Sequence, residues 1–112
     1  MDLDRFLELA KDLDKKKKGK KEEMEKLQRF FERFHLLNRK YLDKETYEKA
    51  QDSIPTIAEA VSNTVQYLDT EIARLRSKRM KIAFENVELG EMQKVQARNE
   101  LLIKEYLAEF PK

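Results

Sequence analysis

The sequence predicts an all-α protein, a bundle of four to five helices organised around one long helix over about residues 55–89. The main indication is a stripe of apolar residues at alternating steps of four and three, the spacing of a helix that packs along other helices. The stripe consists of Val61, Val65, Leu68, Ile72 and Leu75, and Ile82 and Leu89 keep its phase. The chain has only 2 Gly and 2 Pro, which leaves few turns. Lys, Glu, Arg and Leu are abundant, and all four are good helix formers.

Two amphipathic helices are predicted before the stripe, the first over residues 2–17 and the second over residues 21–41. The first presents Leu3, Phe6, Leu7, Ala10 and Leu13 on one face, and the second presents Met24, Leu27, Phe30, Phe31, Phe34, Leu37 and Tyr41. Gly19 follows a lysine-rich turn, which is a signal for a helix end. The alternative is one helix that continues through Gly19, at a cost of about 1 kcal/mol relative to Ala.

Residues 44–52 are predicted to form a short helix, because Asp43 is a favoured N-cap residue. Pro55 then ends this helix, since the residue before a proline avoids helical dihedral angles. Ser53 is suited to cap the long helix that follows, with Pro55 in its first turn.

Gly90 is predicted to break or kink the long helix, and a last helix is predicted over residues 91–110. Its apolar residues are Met92, Val95, Leu102, Ile103, Tyr106, Leu107 and Phe110. At 112 residues the chain is expected to form a single helical domain over residues 1–112.

The segment RLRSKRMK is basic and supplies the candidate residues for binding a partner or phosphates. These are Arg74, Arg76, Lys78, Arg79 and Lys81. Arg74, Lys78 and Lys81 are spaced by four and three, so they are predicted to share one helix face. The functional interpretation is a surface that follows phosphates or docks an acidic partner. The favoured interpretation is a solvated face neutralised by Glu71, Glu85 and acids of a neighbouring helix, because charge runs usually face solvent.

Two polar residues, Arg79 and Asn86, fall in the phase of the stripe, where apolar residues are expected. A polar residue at such a position can fix the register or the oligomeric state of packed helices. One interpretation is therefore an interface where Arg79 meets an acid of another helix or subunit. The other is that the helix has rotated, so that the core is contacted instead by Met80, Ala83, Phe84 and Val87. The candidate interface residues are Arg79, Phe84, Asn86 and Val87.

Catalytic and metal-binding patterns are not found in the sequence. His35 is the only histidine, and no nucleophile or carboxylate pair accompanies it at a useful spacing. The chain has no Cys, which excludes disulfides, thiolate catalysis and Cys-ligated zinc. No Gly-rich phosphate loop or acid-rich calcium loop occurs. We therefore expect a protein that is not an enzyme and that binds neither a cofactor nor a metal.

Charge and hydropathy limit the cellular location and the partners that can be expected. The first residues, MDLDRFLELA, mix acids with apolar residues and do not resemble a signal peptide, and no stretch is apolar enough to span a bilayer. We expect a cytoplasmic protein without a membrane partner. The net charge is only +2, so any affinity for nucleic acid must come from a local patch. Charged residues make up 41% of the chain and interleave both signs, as in thermophile proteins.

Three segments together resemble the helical domain of archaeal GINS subunits over about residues 42–110. They are LDKETYEKAQDSI, YLDTEIARLRSKRMKIAFENVEL and NELLIKEYLAEF. The matching positions are Leu42, Asp43 and Tyr47 in the first, Glu71, Ile72, Arg74, Leu75, Arg76, Arg79, Lys81 and Ile82 in the second, and Leu101, Leu102 and Glu105 in the third. The resemblance implies a non-enzymatic subunit of the replicative helicase assembly. Such subunits form tetramers through their long helices and tie the helicase motor to other replisome parts.

These observations predict a helical scaffold that associates with other protein subunits and with itself. The alternative belongs to another class, a small helical nucleic-acid-binding protein such as a subunit of an RNA-guided effector complex or a viral or plasmid regulator. In that case residues 74–81 would follow the nucleic-acid backbone. Salt separates the two, because phosphate contacts lose affinity steeply as the salt concentration rises.

Overall fold

The computed structural model describes residues 2–110, and within that range the chain is helical, as predicted. The described residues form five helices: α1 Asp2–Lys15, α2 Lys20–Leu37, α3 Lys44–Ala50, α4 Ile54–Ser77 and α5 Ala83–Ala108. The all-α bundle expected from the apolar spacing is therefore confirmed.

The residues predicted to end or cap the first four helices are confirmed. Gly19 lies between α1 and α2 with φ of 74°, in the left-handed region that favours glycine, so the two helices do not merge. The Asp43 carboxylate accepts a hydrogen bond from the backbone N–H of Thr46 at 2.7 Å and caps α3. Ser53 caps α4, where its hydroxyl oxygen accepts hydrogen bonds from the Thr56 backbone N–H at 3.4 Å and from the Thr56 hydroxyl at 2.9 Å. Pro55 stands in the first turn of α4, where its missing N–H costs nothing.

A main core joins α1, α2, the first half of α4 and the end of α5. Its centre is aromatic: the ring centroid of Phe6 lies 5.2 Å from that of Phe30 and 5.8 Å from that of Tyr106. The α4 side of this core consists of Ile54, Ile57, Ala60, Val61 and Val65. The apolar faces predicted for α1 and α2 also supply Leu3, Ala10, Leu13, Leu27, Phe31 and Phe34 to this core.

A second, smaller core holds the other half of α4 against the first half of α5. Leu68, Leu75 and Met92 are buried in it, and Ile72 and Leu89 pack at its edge. The two helices thus form a hairpin that extends the molecule to 54 × 31 × 17 Å. The radius of gyration is 15.3 Å, against about 13 Å for a compact chain of this length.

The prediction of one helix over residues 55–89 is wrong. α4 ends at Ser77, Lys78 is extended with ψ of 130°, and α5 begins at Ala83. Gly90, the predicted break, lies inside α5. The chain folds back because this buries Leu75 and Met92 in one cluster, which a straight helix would leave uncovered.

Other predicted helix ends move by smaller amounts. The second helix stops at Leu37 rather than Tyr41, because Asn38 turns the chain there: both its backbone N–H and its side-chain amide donate to the Phe34 carbonyl oxygen. The last helix starts at Ala83 rather than Glu91, as a consequence of the fold-back at residues 78–82. The remaining ends differ by two residues or fewer, which is within ordinary fraying.

Candidate interaction surface at the α4–α5 turn

The basic segment lies at the turn between α4 and α5, and two of its cations are neutralised locally. Arg74 donates from Nε and Nη2 to the two carboxylate oxygens of Glu71, at 2.8 and 3.2 Å. Lys78 Nζ donates to Glu85, whose carboxylate also accepts the backbone N–H of Ile82 at 3.3 Å. The Lys78 hydrogen bond, together with that of Ile82, lowers the pKa of the Glu85 carboxyl. Glu71 and Glu85 are the two acids expected to neutralise this segment.

The prediction that Arg74, Lys78 and Lys81 share one helix face is wrong. Arg74 is in the last turn of α4, whereas Lys78 and Lys81 lie in the turn that follows. Lys81 Nζ donates to the carbonyl oxygen of Lys78 at 3.1 Å, so it holds the turn together. The fold-back therefore replaces the predicted stripe of three stacked cations by three separate, locally bonded ones.

Two further cations of the segment, Arg76 and Arg79, are exposed. Within residues 2–110 no carboxylate lies within ion-pair distance of either one. Five cations and two acids stand between Glu71 and Val87, so the turn carries a positive charge. Most of its freely available charge comes from these two arginines.

Four large apolar side chains are exposed beside these arginines. Their exposed fractions are 90% for Met80, 65% for Ile82, 69% for Phe84 and 60% for Val87. We call these four residues, with Arg76 and Arg79, the hairpin tip. A small domain usually exposes such residues singly, and their concentration within eight positions of the chain is typical of an interaction site.

The structure contradicts the interpretation that a rotated helix turns the residues beyond 78 towards the core. Met80, Ala83, Phe84 and Val87 do not face the core, because the turn and the first turns of α5 project beyond the smaller core. Ile82, predicted to continue the stripe, is exposed for the same reason. Arg79 and Asn86 are exposed and hold no buried position between helices. Their role in an interface with another molecule stays a prediction, as it does for Phe84 and Val87.

A buried polar network, which the sequence analysis missed, fixes the hairpin to the rest of the bundle. The amides of Asn38 and Asn99 bond reciprocally, with N–O distances of 2.8 and 3.1 Å. Asn99 also donates to Gln96 Oε1 at 3.1 Å. Gln96 donates in turn to the Val65 carbonyl oxygen at 3.0 Å and to Asp69 at 2.6 Å. The network lies where the main core gives way to the smaller one, and it joins the end of α2 to α4 and α5.

The sequence did contain a signal for this network. Met92, Asn99, Ile103 and Tyr106 belong to one apolar face of α5, so Asn99 occupies a core position. A polar residue in such a phase indicates a specific buried partner. Without the fold-back at residues 78–82, however, the sequence does not show that Asn38 is that partner.

His35, the only histidine of the sequence, is partly buried against α3. The His35 ring stacks on Tyr47, with centroids 4.2 Å apart and planes 10° from parallel. Burial, reinforced by the nearby Arg39 charge, lowers the pKa of His35. Across residues 2–110, no group of three or more His, Cys, Asp and Glu side chains is placed to hold a metal ion.

The same described range contains no helix that is both long enough and apolar enough for a membrane crossing. Comparison of the chain with protein-family models, with curated proteins and with solved structures finds no match. The resemblance to GINS subunits therefore stays a prediction, and the hairpin tip is interpreted from its own chemistry.

Proposed function

We propose that this protein is a non-enzymatic interaction subunit that docks an acidic partner protein through the hairpin tip. The observation that carries the proposal is the exposure of Met80, Ile82, Phe84 and Val87 next to two unpaired arginines. Apolar side chains release water when a partner covers them, which supplies affinity. Arg76 and Arg79 supply charge complementarity, which favours an acidic surface and speeds its association.

A protein fits this surface better than a nucleic acid. A phosphate-binding surface needs several cations free to release counterions. Here Arg74 and Lys78 are already paired with Glu71 and Glu85. Exposed Met, Ile and Val side chains offer nothing to a phosphate backbone, whereas apolar anchors of this kind form the centre of protein interfaces.

A second copy of the chain is also a poor occupant of the tip. In a symmetric tip-to-tip contact, Arg76 and Arg79 of one copy would face the same arginines of the other, and like charges at an interface are unfavourable. The predicted self-association therefore requires another surface. The resemblance to GINS subunits supports the same kind of function and predicts that the acidic partner belongs to the replicative helicase assembly.

The test is affinity capture from the native source followed by mass spectrometry, with the double variant Phe84→Gln and Val87→Gln. Both side chains are exposed, so the fold should persist. The matched control is Leu36→Gln with Tyr67→Gln, which removes two exposed apolar side chains elsewhere. We expect the wild type and the control to retain the same acidic protein at stoichiometric amounts, and the tip variant to lose it.

Titration of the chain with the purified partner separates the contribution of the arginines from that of the apolar side chains. Arg76→Gln with Arg79→Gln should slow association, with a smaller effect on dissociation. The proposal is wrong if the wild type retains no stoichiometric protein. It is also wrong if the chain binds mixed-sequence DNA or RNA at physiological salt, loses that binding in the arginine variant and keeps it in the Phe84 and Val87 variant.

A further inference from the structure

A groove between the C-terminal half of α2 and the middle of α5 is separate from the hairpin tip. It consists of two adjoining cavities of about 190 and 340 Å³, which share Leu37 and Arg98 as lining residues. Its apolar lining is formed by Leu37, Tyr41, Val95, Leu101 and Leu102. Leu101 is 57% exposed, so part of this lining faces solvent.

Ion pairs between the two walls close the groove at both ends. At one end Arg33 Nη2 lies 3.4 Å from Glu105 Oε2. At the other end Lys40 Nζ lies 3.0 Å from Glu91 and 3.1 Å from Glu88. Hydrogen bonds from Lys40 to Glu91 and Glu88 raise the pKa of Lys40. The distance along α5 from Glu91 to Glu105 is roughly 21 Å, at 1.5 Å per helical residue.

Cations without an acid partner line the groove between those two ends. Arg39, Lys94 and Arg98 are exposed, and in the described part of the chain none of them has a carboxylate within 4 Å. Lys94 and Arg98 are four residues apart on α5, a spacing at which like charges repel. An acidic ligand would relieve this repulsion, whereas a basic one would add to it.

We propose that this groove binds an amphipathic α-helix of a partner protein, with an apolar stripe on Leu37, Val95 and Leu101 and acids facing the three free cations. A helix suits the groove because it satisfies its own backbone hydrogen bonds. A peptide that binds by strand addition would need a sheet edge, and residues 2–110 contain no strand. The length of the groove corresponds to about four helical turns.

The inference goes beyond the docking function of the hairpin tip. Val87 at the tip and Arg98 in the groove are eleven residues apart on α5, which is roughly 16 Å along the helix axis. A chain with both surfaces would bridge two partner segments, one at the tip and one along α5.

The test uses three fluorescein-labelled peptides of about 16 residues, a length that spans the groove as a helix. The first has leucines at helical spacing flanked by glutamates, the second is a scrambled isomer without the stripe, and the third replaces each glutamate by lysine. Fluorescence anisotropy measures their binding to the full chain. We expect saturable binding of the acidic amphipathic peptide, about ten-fold tighter than that of either control.

Variants at exposed positions locate the site. Arg98→Glu should weaken binding of the acidic peptide about ten-fold, because it replaces an attraction by a repulsion. Leu101→Ala should weaken it several-fold through lost apolar contact. Lys104→Glu is the matched control, since Lys104 is on α5 but lines a different cavity, with Leu3 and Val65. The affinity of this variant for the acidic peptide should stay within two-fold of wild type. The tip variant at Phe84 and Val87 should also bind normally.

Two outcomes would overturn the inference. One is equal binding of the acidic peptide and its scrambled isomer, or binding that neither Arg98→Glu nor Leu101→Ala reduces. The other is a single-stranded oligonucleotide that displaces the peptide and whose binding depends on Arg98 and not on Leu101, which would assign the groove to nucleic acid. Circular dichroism of each variant confirms that a loss of binding is not a loss of fold.

Discussion

Replacement of Asn99 by Ala is expected to destabilise the protein strongly, although Asn99 is polar. Asn99 is 1% exposed and makes three hydrogen bonds, two with Asn38 and one to Gln96. Asn99→Ala leaves Asn38 Oδ1 and Gln96 Oε1 without the donor that they have in the native fold. The amide nitrogen of Asn38 keeps its bond to the Phe34 carbonyl oxygen, so two buried acceptors lose their partner.

The magnitude follows from these two acceptors. Each buried polar group left without a partner costs about 1 to 3 kcal/mol. We therefore expect Asn99→Ala to lower the free energy of unfolding by about 2 to 6 kcal/mol, a large part of the 5 to 15 kcal/mol typical of a small domain. Asn38→Ala in the Asn99→Ala background should cost less than Asn38→Ala alone, by about 1 to 2 kcal/mol, because its main partner is already gone.

Urea denaturation followed by far-UV circular dichroism measures these changes. The matched control is Asn63→Ala, at an exposed position of α4, which should change the free energy of unfolding by less than about 0.5 kcal/mol. A cost below about 1 kcal/mol for Asn99→Ala, or additive costs in the double variant, would show that water replaces the network without loss. The network would then not fix the hairpin to the bundle.

Three further predictions concern separate parts of the fold and use the same urea assay. Leu68→Ala should cost about 2 to 5 kcal/mol, and Ile72→Ala clearly less because Ile72 is only half-buried; equal costs would contradict the smaller core. Asp43→Ala should lower the free energy of unfolding by about 1 kcal/mol, because α3 loses its N-cap. Asp43→Asn should retain most of this stabilisation, since Asn is also a favoured N-cap residue. Because burial and the Arg39 charge lower the pKa of His35, the folded state binds a proton less readily than the unfolded state does. Stability should be full above about pH 6.5 and fall as the pH drops through the folded pKa, and His35→Gln should remove that part of the pH dependence.

The sequence predicts those parts of the fold that depend on local signals. The spacing of Leu3, Phe6, Ala10 and Leu13 identifies the buried face of α1, and the structure confirms it. N-caps are equally local, because the side chain and the backbone N–H that it binds are three residues apart. Asp43 and Ser53 could therefore be assigned without knowledge of the rest of the chain.

The turn at residues 78–82 could not be predicted in the same way, because no Gly or Pro marks it. Ile82 and Leu89 keep the phase of the apolar stripe, so a straight helix satisfies the local pattern as well as a hairpin does. The order of charges was the available signal: Arg74 and Arg76 suit a helix C-terminus, and Glu85 suits an N-terminus.

The same turn decides the candidate site. Of the residues proposed from sequence, Phe84 and Val87 are exposed in the first turns of α5, and Arg76 and Arg79 are exposed around the turn that precedes it. Arg74 and Lys78 form local ion pairs. Met80 and Ile82 were assigned to the core or to the stripe on a helical phase that the turn interrupts. The groove along α5 depends on the packing of α2 against α5, which no local pattern contains.

A distance measurement distinguishes the hairpin from the straight helix that the stripe also allows. The chain has no Cys, so Thr70→Cys and Gln93→Cys, both at exposed positions, give two unique sites for spin labels. In a continuous helix these positions would be roughly 35 Å apart, at 1.5 Å per residue. In the hairpin, where α4 and α5 pack side by side, we expect a separation below about 20 Å.

A straight helix would carry the main-core residues of α5, such as Ile103, away from Phe6, so it could fold only if two copies exchanged α5. Electron–electron double resonance should therefore show a single short distance that does not depend on protein concentration. The reasoning would be refuted by a distance of roughly 35 Å whose population rises with protein concentration, together with a dimer in sedimentation equilibrium. The helical preference of residues 78–82 would then prevail over the turn.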